Sequence, residues 1–137
     1  MGAKSWQLAP GVNHVGAYQV SGRPFASGSI NTTGSAAASK LEFPTVTRWI
    51  QIINRDPMNA AKVGFSSFGV AGSNHFNISA PSDYKSGEAS PVFEVKVSEI
   101  YLTGSGNIDV VAGLTNIDKV RLSSSTGPSW SGSVGVG

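Results

Sequence analysis

The chain has 137 residues, no cysteine, 13% charged residues and a formal net charge of +2. That length suits one domain burying about two thirds of its unfolded surface, and the missing thiols exclude disulfides, thiolate metal sites and a cysteine nucleophile. The charged fraction is about half the usual ~25%, and the ten Lys and Arg residues are scattered from Lys4 to Arg121, which argues against a phosphate-neutralising surface for nucleic acid.

Residues 1–11 read as an N-terminal arm that carries Trp6 and Leu8 and ends at Pro10-Gly11. The arm holds no hydrophobic signal core, and Trp6 stands where a myristoylation pattern needs Ser or Thr. With no apolar run of membrane-spanning length, synthesis in the cytoplasm without membrane contact is the expectation. Val12–Val20 is a first strand, and a weak strand around Phe25–Asn31 follows in a Gly- and Ser-rich stretch. The three alanines at 36–38 are too few to nucleate a helix. Lys40–Phe43 is a short strand closed by Pro44. Val46–Asn54 is the strongest strand: Val46, Ile50 and Ile52 share one face and Trp49 and Ile53 the other, the pattern of a central strand covered on both sides, with Trp49 in the core.

Asn54-Arg55-Asp56-Pro57 signals a turn. Lys62–Val70 reads as a strand with a bulge at Ser66-Ser67, Asn74–Ser79 as another strand, and Ala80–Ser90 as an exposed loop. From Val92 to Leu114 the alternation predicts a hairpin: Phe93, Val95 and Val97 on one face, a phase slip near Ser98-Glu99, then Ile100 and Leu102, a reversal at Gly104-Ser105-Gly106-Asn107, and Ile108, Val110, Ala112 and Leu114 returning. Lys119–Leu122 is a last strand. Residues 123–137, Ser- and Gly-rich around Pro128 and Trp130, are expected to be a flexible tail. The prediction is an all-β protein, an antiparallel β-sandwich or jelly roll of about eight to ten short strands over residues 12–122, flanked by flexible arms.

Chemistry-bearing residues are sparse. His14 and His75 are far apart and each sits in a strand, where a lone histidine is structural; no carboxylate spacing completes a zinc site. Eight carboxylates, Glu42, Asp56, Asp83, Glu88, Glu94, Glu99, Asp109 and Asp118, offer no pair marked out for glycosidase work. The Gly104–Asp109 run resembles a phosphate loop but has no helix behind it. Asn31-Thr32-Thr33 and Asn77-Ile78-Ser79 fit the glycosylation pattern, and without a secretion signal they read as coincidental. No enzyme activity, cofactor or metal is expected. Among the aromatics, Trp6 and Trp130 lie in the arms, where each either folds back on its own domain or inserts into a partner. They and Leu8 are the candidate interface residues.

Phe43–Asn54, Lys62–Ser67 and Val97–Leu102 together resemble the small virion proteins of tailed bacteriophages that decorate or cement the outside of the head, over about residues 12–117. The resemblance implies a β-rich fold, often a jelly roll, a homotrimer at three-fold positions of the lattice, the major capsid protein as partner, and reinforcement of the shell on the virion exterior. It has no catalytic residues to carry over. Two other readings stay open: a carbohydrate- or receptor-binding module, with loops 22–39 and 80–90 carrying the site and Tyr84 stacking on a sugar, and another virion component such as a fibre, collar or shell subunit.

Overall fold

A computed structural model describes residues 22–33, 38–82, 87–124 and 127–128. Two four-stranded antiparallel sheets dominate it. The first has the order β1 (Arg23–Ile30), β8 (Ile108–Leu114), β3 (Thr47–Asn54), β6 (Glu88–Ala89). The second has the order β2 (Ser39–Glu42), β7 (Glu99–Thr103), β4 (Ala61–Gly64), β5 (His75–Ile78). A one-turn helix, α1 (Ser67–Ala71), joins β4 to β5, and a 3-10 turn (Lys119–Leu122) leads into a ribbon of β9 (Ser123–Ser124) and β10 (Gly127–Pro128). The protein is thus mostly β, as its turn-rich composition and alternation predict. The predicted strand over 12–20 and the arm before it lie outside the described residues.

The pairing counts inward from the two ends: β1 with β8, β2 with β7, β3 with β6 and β4 with β5. The contacts β3–β8 and β4–β7 then complete the sheets. From β1 to β8, every connection between consecutive strands except β4 to β5 therefore crosses from one sheet to the other.

Alternation decides the core. Ile50 and Ile52 of β3, Val110 and Ala112 of β8, Ile100 and Leu102 of β7 and Val63 of β4 are fully buried in one cluster. Each large aliphatic side chain buried in this way contributes about 1.5–3 kcal/mol. The cluster is flanked by aromatic pairs where sheet edges meet. Phe25 of β1 packs edge-on against Phe43 after β2 at 5.1 Å, and Phe76 of β5 meets Phe93 beside β6 at 5.1 Å.

The predicted hairpin does not form, because Gly104–Asn107 is a crossing between sheets: β7 pairs with β2 and β4, and β8 with β1 and β3. The phase slip before it has the same origin. Residues 90–97 run beside β3, where Phe93 and Ile50 exchange two backbone bonds of 2.8 Å and Thr47 N–H donates to Val97 O at 2.9 Å. At Ser98, whose carbonyl accepts from Phe43 N–H at 2.9 Å, the chain passes to the second sheet, so the inward parity must change.

Three further expectations need correction. The strand predicted to Val70 stops at Gly64, because Ser66 caps a helix: its Oγ accepts from Gly69 N–H at 2.9 Å. Lys119–Leu122 is a 3-10 turn, stabilised at its start by Asp118 Oδ1 accepting from Val120 N–H at 3.2 Å. Trp49 is half-buried on the outer face of the first sheet and not in the core, since β3 turns Ile50 and Ile52 inward and no described element forms a layer outside it.

Candidate functional site

The four predicted contact residues, Trp6, Leu8 and Trp130 for a protein interface and Tyr84 for a glycan, all lie outside the described residues, as do His14 and Asp83. His75 is in β5, as predicted, with Nδ1 3.3 Å from Gly69 O. That contact ties β5 to α1 and gives the imidazole a structural role.

The carboxylates are distributed through ion pairs and turns. Glu42 and Glu99 stand opposite each other on β2 and β7, with Lys40 Nζ 3.2 Å from Glu42 Oε1 and 3.9 Å from Glu99 Oε2. The Lys40 ammonium, helped by Lys119, holds the Glu42 carboxyl below its usual range. Tyr101 Oη donates to Glu99 Oε2 at 2.6 Å, and burial together with that carboxylate pushes the Tyr101 phenol up. This is the strongest titratable cluster among the described residues. It lies on an outer sheet face with Lys40 shared between the two carboxylates, an arrangement suited to holding β2 on β7. Glu94 pairs with Arg48 at 2.9 Å, and Asp109 accepts from Ser29 N–H at 2.9 Å with Arg55 Nε 3.7 Å away.

A second polar cluster fastens one end of the two sheets. Asn54, fully buried at the end of β3, accepts at Oδ1 from Ser105 Oγ at 2.7 Å and from Asp56 N–H at 3.1 Å. Its Nδ2 donates to Asn59 O, Ser79 O and Ile78 O at 2.9, 3.2 and 3.3 Å. Asp56 accepts from the N–H groups of Gly106 at 2.8 Å and Met58 at 2.9 Å and from Asn59 Nδ2 at 3.1 Å, and these donors hold its carboxyl down to about 2. The run that resembles a phosphate loop is therefore occupied by the protein's own side chains.

Where the edges of β5 and β6 face each other, a cleft of about 200 Å³ is lined by Phe76, Ile78, Glu88, Ser90, Pro91 and Phe93 among others. It is smaller than the ~300–1,000 Å³ typical of small-molecule sites. Large apolar side chains protrude elsewhere: Met58 is 80% exposed, Phe68 75%, Val120 64% and Val92 52%. Phe68 is held out on a firm mount, since Ser66 caps α1 and Val70 packs on Gly64 so closely that a Cβ there would lie 2.5 Å from Val70 Cγ2. The sequence reading missed this residue; the Ser66 cap signal two positions before it was the available clue.

Among the described residues, no three His, Asp or Glu side chains come together to hold a metal ion, and no helix is long and apolar enough to cross a membrane. Comparison of the chain with protein-family models, curated proteins and solved structures finds no match in any of the three.

Proposed function

We propose that this protein is a virion structural protein of a tailed bacteriophage that binds the outside of the capsid as a trimer and stabilises the shell by contact alone. The observation that carries the reading is the set of large apolar side chains, Met58, Phe68, Val92 and Val120, exposed on a body with little surface charge. Exposed side chains of this size are the ones a protein partner can bury with most gain, about 1.5–3 kcal/mol each. A ligand that binds only the assembled shell favours it by mass action, so no bond needs to be made or broken. The resemblance of Phe43–Asn54, Lys62–Ser67 and Val97–Leu102 to decoration proteins supports the same partner, the major capsid protein, and the same place, the virion exterior. Neither nucleic acid nor membrane enters this reading.

We also read the body as a jelly roll. Its support is the pairing of β1 with β8, β2 with β7, β3 with β6 and β4 with β5, the order produced when one long antiparallel ribbon is rolled into two sheets. The test of function is imaging of native particles with and without the protein. Density for about hundreds of copies on the outer shell, lost when the gene is deleted, is the expected result; protein found inside the head, only at a tail tip, or absent from particles rejects it.

The cleft between β5 and β6 favours a second reading, glycan binding, because it sets the Phe76 and Phe93 rings beside Glu88 and Ser90. Specific signals on a glycan array, abolished by Tyr84→Ala, would promote it over the first.

A further inference from the structure

The edge strands of the two sheets are guarded unequally. In the second sheet, β2 carries Lys40 and Glu42 and β5 carries His75 and Asn77, in four residues each, and in the first sheet β6 is only two residues long. The remaining edge is β1. It has eight residues, and from Pro24 to Ile30 it holds no charge. Pro24, Ala26, Gly28 and Ser29 are exposed, and among the described residues no strand pairs with its outer side. A long, uncharged edge is a template on which another strand can add, and proteins blunt such edges with charge, shortness, proline or a bulge. β1 has the last two. Pro24 has no N–H to offer, and between Ser27 and Ile30 one extra residue breaks the register against Val110 and Ile108 of β8.

Three residues build the bulge. Ser29 has φ +55°, in the left-handed region, and is the one non-glycine residue there among those described. Its N–H donates to Asp109 Oδ1 on β8 at 2.9 Å. Gly28 makes room for that carboxylate, since a Cβ at 28 would lie 3.2 Å from the same oxygen. Asp109 Oδ2 in turn lies 3.7 Å from Arg55 Nε in the loop after β3, so the carboxylate links the edge of the sheet to its interior. A disfavoured backbone conformation, a glycine that clears space and a side-chain clamp from the next strand thus converge on one point of the one edge that lacks charge. We infer that Gly28, Ser29 and Asp109 form an edge guard, a fixed kink that keeps β1 from adding to β1 of a second copy of this chain. A second copy is the partner at issue because a two-fold axis beside β1 would join two identical uncharged edges, antiparallel, into one continuous sheet. The inference goes beyond the capsid reading and does not depend on it.

The test measures mass in solution on the full chain, by light scattering behind gel filtration, with far-UV circular dichroism to establish that each variant is folded. Deleting Ser29 restores equal spacing between Ser27 and Ile30 on β1 and Val110 and Ile108 on β8, and Pro24→Val restores the missing donor. The combined variant is expected to show about twice the wild-type mass, with amide exchange along β1 slowed in the associated form. Asp109→Ala releases the Ser29 N–H without changing chain length, and Gly28→Val pushes the carboxylate away; both are expected to shift the mass in the same direction. Ser29→Gly keeps the bulge and relieves its backbone, so its mass should stay that of the wild type. Should the deletion unfold the chain, Asp109→Ala and Gly28→Val decide the matter. Wild-type mass in every folded variant overturns the inference and leaves the bulge a folding feature alone. A doubled mass with β1 amides exchanging as fast as in the wild type also overturns it, because association then runs through another surface, and so does association of Ser29→Gly.

Discussion

Replacing Asn54 with Leu should be among the most damaging single changes in this protein. The substitution keeps the side chain's approximate volume and removes its bonds to five partners on three segments: Asn59 and Asp56 in the loop after β3, Ile78 and Ser79 at the end of β5, and Ser105 in the crossing to β8. Two amide hydrogens serve three carbonyls, so the longer contacts, at 3.2 and 3.3 Å, share one donor and count as a single bond. Two net donor bonds and two acceptor bonds at about 1 kcal/mol each, with the Ser105 hydroxyl and Ile78 carbonyl left in a dry environment, give a loss of about 3–5 kcal/mol. That is a large part of the ~5–15 kcal/mol that holds a domain folded. In urea titrations followed by far-UV circular dichroism, the midpoint should fall by about 1.5–2.5 M if m is about 2 kcal/mol/M and does not change. A double-mutant cycle with Ser105→Ala should be non-additive by about 1 kcal/mol, because the two side chains share the 2.7 Å bond. A loss below about 1 kcal/mol, or full additivity with Ser105→Ala, would refute the claim that this cluster clamps the sheet ends.

Other consequences can be measured in the same way. Gly104 has φ +91°, and a Cβ there would lie 2.8 Å from Ala60 O, so Gly104→Ala should cost about 1–3 kcal/mol in urea unfolding, whereas Gly22→Ala, with open space around it, should be close to neutral. Ser66→Ala removes the cap of α1 and should cost about 1 kcal/mol, with faster amide exchange at Gly69 as its local signature. The Asp56 carboxyl is held below its ordinary value of 3.8, to about 2, so its contribution is complete above about pH 4 and fades as the pH drops through about 2; acid unfolding of Asp56→Asn should be less steep over that window than that of the wild type. The Tyr101 phenol is pushed above its ordinary value of 10.0, so its stabilising effect is present below pH 10 and fades as the pH rises beyond it; Tyr101→Phe should flatten the alkaline limb of the stability curve.

Periodicity revealed the class of fold, the position of most strands and the identity of the core. Ile50, Ile52, Ile100, Leu102, Val110 and Ala112 could be placed from alternation because a strand buried on one face must repeat every second residue, whatever its neighbours are. Local chemistry was also legible where it was read for the right element. Ser66 is the counterexample: a side chain that accepts from a backbone N–H three residues on starts a helix, and the apolar residues on both sides of it, Val63 and Phe65 before and Phe68 and Val70 after, obscured that signal by continuing a strand-like pattern.

The exposed surface and its candidate contact residues were only partly legible. Trp49, Ile53 and Val111 could each be assigned to the face opposite the core, yet a strand's outer face has the same sequence pattern whether a third layer, a partner or water lies beyond it. Exposure of Phe68 depended on α1, which the strand reading hid.

Alternation along the chain, a property of single strands, was thus enough to establish an antiparallel β protein with an aliphatic core. Which strands pair, and hence that Gly104–Asn107 crosses between sheets and that Phe93 meets Phe76 rather than continuing a hairpin, was decided by the tertiary structure. The physical reason is that a two-residue repeat orients side chains relative to one strand's own sheet, while the choice of neighbours is made by contacts between residues far apart in the chain, such as Arg23 with Leu114 and Glu42 with Glu99, which leave no local mark in the sequence.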